Sequence, residues 1–328
     1  MQEKIKKYSF KDDYSEGAHP NILKAMAESN LIQQAGYGED EYSLQAAELI
    51  RDKIQNKDTD VHFVSSGTQA NLIVLSSLLK SYESIISANS GHINTHEAGA
   101  VESTGHKINA VDSLDGKLTP AKIKNISEYH TDEHMVKPRV VFISNSTEVG
   151  TIYSKRELEE ISECCKSLNL LLYMDGARLG SALASTKNDA ALSDIAKLTD
   201  VFYIGGTKNG ALLGEAIVIV NDDLKENFRF HLKQKGALLS KGRILGLQFL
   251  ELFKDDLFFI LAMQGNCMAM KLADGIKKQG YNFLTNSYSN QIFPIFPNAI
   301  IEKLSKKYEF YMWEKIDENY SAIRLVAS

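Results

Sequence analysis

The chain is 328 residues long, 44% hydrophobic and 24% charged, with a formal net charge of −5 at pH 7. That length accommodates one large domain plus a smaller one, and the composition is ordinary for a globular protein. A negative balance without any dense Lys/Arg block argues against nucleic acid or an anionic membrane as the main partner. No apolar run approaches the ~20 residues of a membrane-spanning helix. Residues 1–7 carry basic side chains with no apolar run behind them, so no signal peptide is expected and the cytoplasm is the expected compartment. Cys164 and Cys165 are adjacent and Cys267 is distant, which suggests neither a disulfide framework nor a zinc site.

The segment around Asp12–Pro20 precedes the first strand and is expected to pack across the functional site. A strand is predicted at 61–65, then a helix over 68–80 with apolar residues at helical spacing. Short strands are expected at 84–88 and 107–111, and a stronger one at 139–144. Residues 154–169 read as an amphipathic helix, with Ser154 as N-cap and Glu157 at the capping-box position. A strand at 170–174, a short helix after Gly180, and strands at 201–204 and 216–220 follow. Strands this apolar on both faces, alternating with helices, predict an α/β fold with a mostly parallel sheet covered on each side. Ligands of such sheets bind beyond the C-terminal strand ends.

From about Asp222 the texture changes. A long helical stretch is predicted through 228–239, with helices continuing to about Gly280. Short strands near Phe283 and at 291–296, 310–313 and 323–326 predict a small α+β domain. The expected organisation is an N-terminal segment (1–30), a large α/β domain (31–235) and a small domain (236–328). The chain ends in Arg324-Leu-Val-Ala-Ser328, a strand-like run beyond which a further helix would be expected.

Two strand ends carry the chemistry. Lys208 lies in Val201-Phe-Tyr-Ile-Gly-Gly-Thr-Lys-Asn-Gly210, and Asp175 in Leu170-Leu-Leu-Tyr-Met-Asp-Gly-Ala-Arg178. Desolvation of a half-buried lysine favours its free, nucleophilic amine, the chemistry of a Schiff base. An acid nearby is what the ring nitrogen of pyridoxal phosphate needs. Ser65-Ser-Gly-Thr-Gln-Ala-Asn71 joins a strand to a helix. Gly67 there permits close backbone approach, and Thr68 adds a hydroxyl at a helix N-terminus that attracts an anion; read alone, the motif is equally an ordinary N-cap. No Walker A sequence and no Gly-x-Gly-x-x-Gly after a strand is present. His92 and His96, four apart, with Glu97, could bind a metal, but the order is not that of a His-Glu-x-x-His site. Arg178 could grip a carboxylate with its fork or lie on the surface. Lys235 and Arg243 belong to a basic cluster with no local distinction.

Taken in order, Asp13-Tyr-Ser-Glu-Gly-Ala-His-Pro20, Gly36-Tyr-Gly-Glu-Asp40, Ser65-Ser-Gly-Thr-Gln-Ala-Asn71, Gly91-His-Ile93, Met174-Asp-Gly-Ala-Arg-Leu179 and Gly205-Gly-Thr-Lys-Asn-Gly210 resemble the low-specificity threonine aldolases. These belong to the β-eliminating lyase branch of fold type I pyridoxal phosphate enzymes. The resemblance implies aldol cleavage of L-threonine or L-allo-threonine to glycine and acetaldehyde. It implies that Lys208 forms the internal aldimine, Asp175 pairs with the pyridine nitrogen and His92 stacks on the ring. Gly67 and Thr68 would bind the phosphate, with Thr207 adjoining the cofactor. Arg178 and Arg324 would bind the substrate carboxylate. Arg243, with Lys235 nearby, would reach the phosphate in a neighbouring subunit, because the family shares sites across a dimer within a homotetramer. Tyr37 would lie near such a shared site on the substrate side. Two departures stand out: Glu148 occupies the place of a second active-site histidine, and Asp12 that of a carboxylate-contacting serine. The competing readings are another pyridoxal phosphate lyase or an aminotransferase built on the same Lys208 and Asp175, a metal-dependent hydrolase built on His92, His96 and Glu97, and a silent cofactor-binding protein.

Overall fold

The computed structural model describes residues 7–328; residues 1–6, on which the signal-peptide expectation rests, lie outside it. After β1 (Tyr8–Ser9) come α1 (Pro20–Ser29) and α2 (Glu41–Ile54). Asp40 caps α2 by accepting from the Ser43 amide at 2.8 Å. The alternating stretch then runs β2 (Asp60–Val64), α3 (Gly67–Leu78), β3 (Glu83–Ala88), α4 (His92–Thr95), β4 (Lys107–Val111), α5 (Pro120–Tyr129), β5 (Lys137–Ser144), α6 (Lys155–Ser167), β6 (Leu171–Asp175), α7 (Leu179–Leu183), α8 (Leu192–Leu198), β7 (Val201–Gly205) and β8 (Glu215–Ile219).

These strands form one seven-stranded sheet in the order β2-β8-β7-β6-β5-β3-β4. It is the mostly parallel sheet expected, with β8 antiparallel to both β7 and β2. Residues 206–214 are too few to carry the crossover that a parallel return needs. Every residue of β3, β6, β7 and β8 is buried, so apolar side chains point to both faces. Ile73, Phe142, Tyr173 and Ile217 pack on one side, under α3 and α9. Phe202, Ile204, Phe249 and Leu158 pack on the other, with α2, α6, α8 and α10. Helix α6 has the capping box read from Ser154 and Glu157 and buries Leu158, Ile161, Cys164 and Cys165; each large apolar side chain so buried contributes ~1.5–3 kcal/mol.

The remaining elements are α9 (Phe228–Gln234), α10 (Arg243–Phe253), α11 (Leu257–Lys278), β9 (Gln291–Ile292), β10 (Ile295–Pro297), α12 (Asn298–Ser305), β11 (Tyr308–Glu309), β12 (Tyr311–Lys315) and β13 (Tyr320–Val326). Strands β10, β13 and β12 form an antiparallel sheet with β9 also on β13, while β1 pairs parallel with β11. Three expectations are corrected here. The helix predicted through 228–239 stops at Gln234, because Gly236 turns the chain at φ +71°. The strand near Phe283 is a single bridge to Pro294. The short helix predicted after Gly180 already begins at Leu179.

Candidate active site

Strands β2, β3, β5, β6 and β7 all point the same way, so the loops that follow them gather at one edge of the sheet. That edge carries Gly67 and Thr68 at the start of α3, His92 at the start of α4, Asp175 as the last residue of β6, and Glu148 and Lys208 in loops. Asp175 ends β6, and Lys208 follows the neighbouring β7. Two glycines let these strand ends touch. A Cβ on Gly176 would collide with the Tyr203 carbonyl, and one on Gly205 with the Ala177 carbonyl. The Gly205 amide instead donates to the Gly176 carbonyl at 2.9 Å.

Asp175 is buried, and both of its oxygens accept from the protein. Its Oδ1 accepts from the Tyr203 hydroxyl at 2.6 Å and the Ala177 amide at 2.9 Å. Its Oδ2 accepts from Asn71 Nδ2 at 3.2 Å. Asn71 also accepts from the Tyr173 hydroxyl at 2.9 Å and donates to Glu97 Oε1 at 2.7 Å. The same Glu97 oxygen accepts from His92 Nδ1 at 2.8 Å. One chain of hydrogen bonds thus links Tyr203, Asp175, Asn71, Glu97 and His92. Burial works against the charged form of His92, but the bond to Glu97, helped by Glu148 and Asp175, carries its pKa upward overall. His92 and His96 lie with ring centres 5.5 Å apart and planes at 21°. They are stacked rather than converging on a point, and among the described residues no group of three or more metal-ligating side chains occurs.

A cavity of about 430 Å³ opens above this network. His92, His96, Glu148, Lys208, Arg178 and Arg324 line it, with Tyr14, Tyr311, Met312 and Trp313. At the start of α3, Ser66 caps the helix by accepting from the Gln69 amide. The amides of Gly67 and Thr68, at the start of the helix, are left without intrahelical acceptors. A Cβ at Gly67 would lie 3.0 Å from the Tyr203 hydroxyl, so a glycine keeps this corner open. Thr207 braces the Lys208 turn, its hydroxyl accepting from the Gly214 amide at 2.9 Å. An open amide corner, a lysine, and an acid supported by one hydroxyl, one side-chain amide and one backbone amide are a donor set that fits pyridoxal phosphate.

Arg178 corrects the sequence expectation. Its Nε and Nη2 bind the two oxygens of Asp13 at 2.7 and 3.0 Å, and its side chain is only 7% exposed. The fork expected to grip a substrate carboxylate is therefore occupied, and Nη1 is its uncommitted nitrogen. Burial opposes the Arg178 charge, yet Asp13 overcomes this and raises its pKa. Arg324 is held more loosely: Nη2 donates to the Lys11 carbonyl at 3.1 Å and lies 3.6 Å from Asp12. Its Nε is buried without an acceptor among the described residues. Asp12 thus faces Arg324 from the side and offsets only part of what burial costs its charge.

Tyr37 and Arg243 do not join the cavity of their own chain. Tyr37 has its ring under Lys233 at 4.8 Å, and Arg243 donates to the carbonyls of Ser29 and Ile32. Lys235 approaches α3 through its backbone, its carbonyl accepting from Gln69 Nε2 at 3.3 Å. Sequence reasoning missed Asn71, Tyr203, Asp13 and Glu215. Glu215 is buried at the start of β8 and accepts from the Gly206 amide at 3.0 Å, just before Lys208; burial pushes its carboxyl up to about 8. The charged position inside an otherwise apolar strand was the one available signal for it.

The sequence matches the beta-eliminating lyase family over residues 11–298. It is 38% identical to the low specificity L-threonine aldolase of Pseudomonas aeruginosa over 304 residues, which is 92% of this chain and 87% of that protein. It is 27% identical to the low specificity L-threonine aldolase of Escherichia coli over 67% of this chain and 66% of that protein. The structure superposes on the threonine aldolase of Leishmania major with a TM-score of 0.97 at 49% identity, covering 98% of this chain and 94% of that one. An aspartate aminotransferase of Thermus thermophilus, at 11% identity and a TM-score of 0.72 over 98% of this chain and 87% of that one, shares the fold alone. The loop-borne lysine and the strand-end aspartate, the fold type I sheet and these matches lead to one conclusion: the chain belongs to the β-eliminating lyase family.

Proposed function

We propose that the protein cleaves a β-hydroxy-α-amino acid, L-threonine or L-allo-threonine, to glycine and acetaldehyde, with pyridoxal phosphate held at Lys208. The observation that carries this reading is the meeting of Lys208, His92 and Arg324 on one cavity, with Asp175 tied to His92 through Asn71 and Glu97. When bound, pyridoxal phosphate supplies an electron sink for breaking a bond at the substrate α-carbon. Lys208 would hold its aldehyde carbon, and the Gly67 and Thr68 amides would hold its phosphate, with Thr207 beside the lysine. Asp175 would hold a proton at its ring nitrogen, and His92 would lie against the ring. Arg324 would offer the substrate carboxylate its outer nitrogen Nη1, and Arg178 would add its own Nη1. Holding the carboxylate would orient the α-carbon bonds of the substrate. Glu148 and His92 are the cavity groups that can take the β-hydroxyl proton.

The relatives named for threonine cleavage, from Pseudomonas aeruginosa and Leishmania major, support the substrate class. A cytoplasmic homotetramer with sites shared across a dimer completes the reading. Tyr37 and Arg243, which do not line their own chain's cavity, would then serve a neighbour's, Arg243 while keeping its bonds to the Ser29 and Ile32 carbonyls. No helix among the described residues is long and apolar enough to cross a membrane. The test is product identification from the cofactor-loaded protein with L-threonine, L-allo-threonine and phenylserine. Aldehyde plus glycine is expected; an oxoacid plus ammonia, or amino transfer to an added oxoacid, would replace this reading with one of its rivals.

A further inference from the structure

Arg324 depends on its surroundings in an unusual way. Its polar partners fix one nitrogen only, through the Lys11 carbonyl at 3.1 Å and Asp12 at 3.6 Å. A guanidinium tethered at one corner keeps its rotational freedom about that contact. Two aromatic rings remove that freedom. The Arg324 Cζ lies 4.9 Å from the centre of the Tyr311 ring and 5.4 Å from that of Trp313. Tyr311 is the register partner of Arg324 across the β12–β13 ladder, and Trp313 stands two residues further along β12. Trp313 is itself fixed edge-on against Phe293, ring centres 5.0 Å apart, and Phe293 is fully buried. Both rings line the same cavity as Arg324 and Lys208.

We propose that Tyr311 and Trp313 are positioning residues that hold the Arg324 guanidinium by its faces and leave its hydrogen-bonding edge for the substrate carboxylate. The inference rests on the reading that Arg324 binds that carboxylate. The physical case is one of competing charges. Burial disfavours the charge on Arg324, and Arg178, a second cation nearby, disfavours it further. A stronger ion pair would neutralise Arg324, but a carboxylate on its fork would occupy the edge that the substrate needs, as Asp13 does on Arg178. Aromatic faces stabilise a cation through their quadrupoles without consuming any N–H donor. The rings therefore hold the charge and fix its plane without taking a donor, and Nη1, which has no hydrogen-bond partner among the described residues, stays open on the cavity side.

The test compares two ligands that differ only in the carboxylate. Glycine and glycinamide are titrated into the cofactor-loaded protein, and binding is followed by the visible absorbance of the cofactor. The variants are Tyr311→Leu, Trp313→Leu, Trp313→Phe and Arg324→Lys. Removal of either ring is expected to weaken glycine roughly tenfold while leaving glycinamide within about twofold, the size of a partly desolvated cation–π contact. Trp313→Phe restores most of the preference. Tyr311 is 41% exposed, so Tyr311→Leu keeps the test alive if Trp313→Leu fails to fold. Equal weakening of both ligands, or none, in the two leucine variants overturns the inference when Arg324→Lys still abolishes the preference for glycine. If Arg324→Lys leaves that preference intact, the carboxylate role of Arg324 itself is wrong and the inference falls with it. In the unaltered protein, Trp313 is the single tryptophan, and its fluorescence is expected to respond to glycine and not to glycinamide.

Discussion

Asp13 decides what Arg178 can do. The pair is buried on both sides, with the Asp13 side chain 0% exposed, and Asn290 adds a third contact at 2.8 Å. Burial opposes the Asp13 charge, but Arg178 and Lys208 outweigh it and bring its pKa below the usual carboxylate value. The stability it contributes is therefore present above about pH 3.8 and is lost as pH falls through the lower folded value. Asp13→Ala leaves an unpaired buried guanidinium, and a loss of about 3–5 kcal/mol in unfolding free energy is expected in a urea titration. A loss below 1 kcal/mol would mean that Arg178 finds another partner. Glu215 has the opposite sign. Its folded pKa is raised to about 8 by burial, so the folded protein holds a proton that the unfolded chain releases above about 4.5. Its contribution is full below pH 4.5 and is lost as pH rises toward 8. Glu215→Gln should remove this slope, so that the stability of the unaltered protein falls relative to the variant between pH 5 and 8. A constant difference across that window would show that Glu215 is ionised in the fold.

At the scale of elements, the site depends on how closely β6 and β7 end together. A methyl group on Gly176 would meet the Tyr203 carbonyl, which is backbone and cannot turn aside. Gly176→Ala is expected to cost about 1–3 kcal/mol by overpacking and to lower cofactor retention, because Asp175 and Lys208 are displaced relative to each other. Unfolding and cofactor absorbance measure the two effects; unchanged values for both would show that the strand ends are not tightly coupled. The strands themselves were legible in the sequence because continuous apolar runs such as Leu171–Asp175 and Val201–Gly205 need cover on both faces. Helix α6 was legible from its cap and period. The end of the segment predicted as one helix through 228–239 was not, because only the observed φ of Gly236 distinguishes a turn from a tolerated helical glycine.

Across the whole molecule, the segment from Phe10 to His19 stitches the two sheets around the cavity. The Phe10 carbonyl accepts from the Val326 amide, the Lys11 carbonyl from Arg324, Asp13 binds Arg178 and Asn290, and the His19 amide donates to the Gly210 carbonyl. Lys208 and Asp175 were legible because each announces itself locally, as a charge at the end of an apolar strand. Asp13 was not, since its partners Arg178 and Asn290 lie 165 and 277 residues away in sequence. Tyr203 and Asn71 read locally as strand core and helix core, and only the fold turns them toward Asp175. The cation–π contacts of Arg324 have the same origin, in strands brought together by the small sheet. Whether Lys208 holds pyridoxal phosphate is read by borohydride reduction of the cofactor-loaded protein followed by peptide mass mapping. A pyridoxyl adduct on the peptide containing Lys208, absent in Lys208→Ala, is the predicted result; an adduct on another lysine, or none, would contradict it.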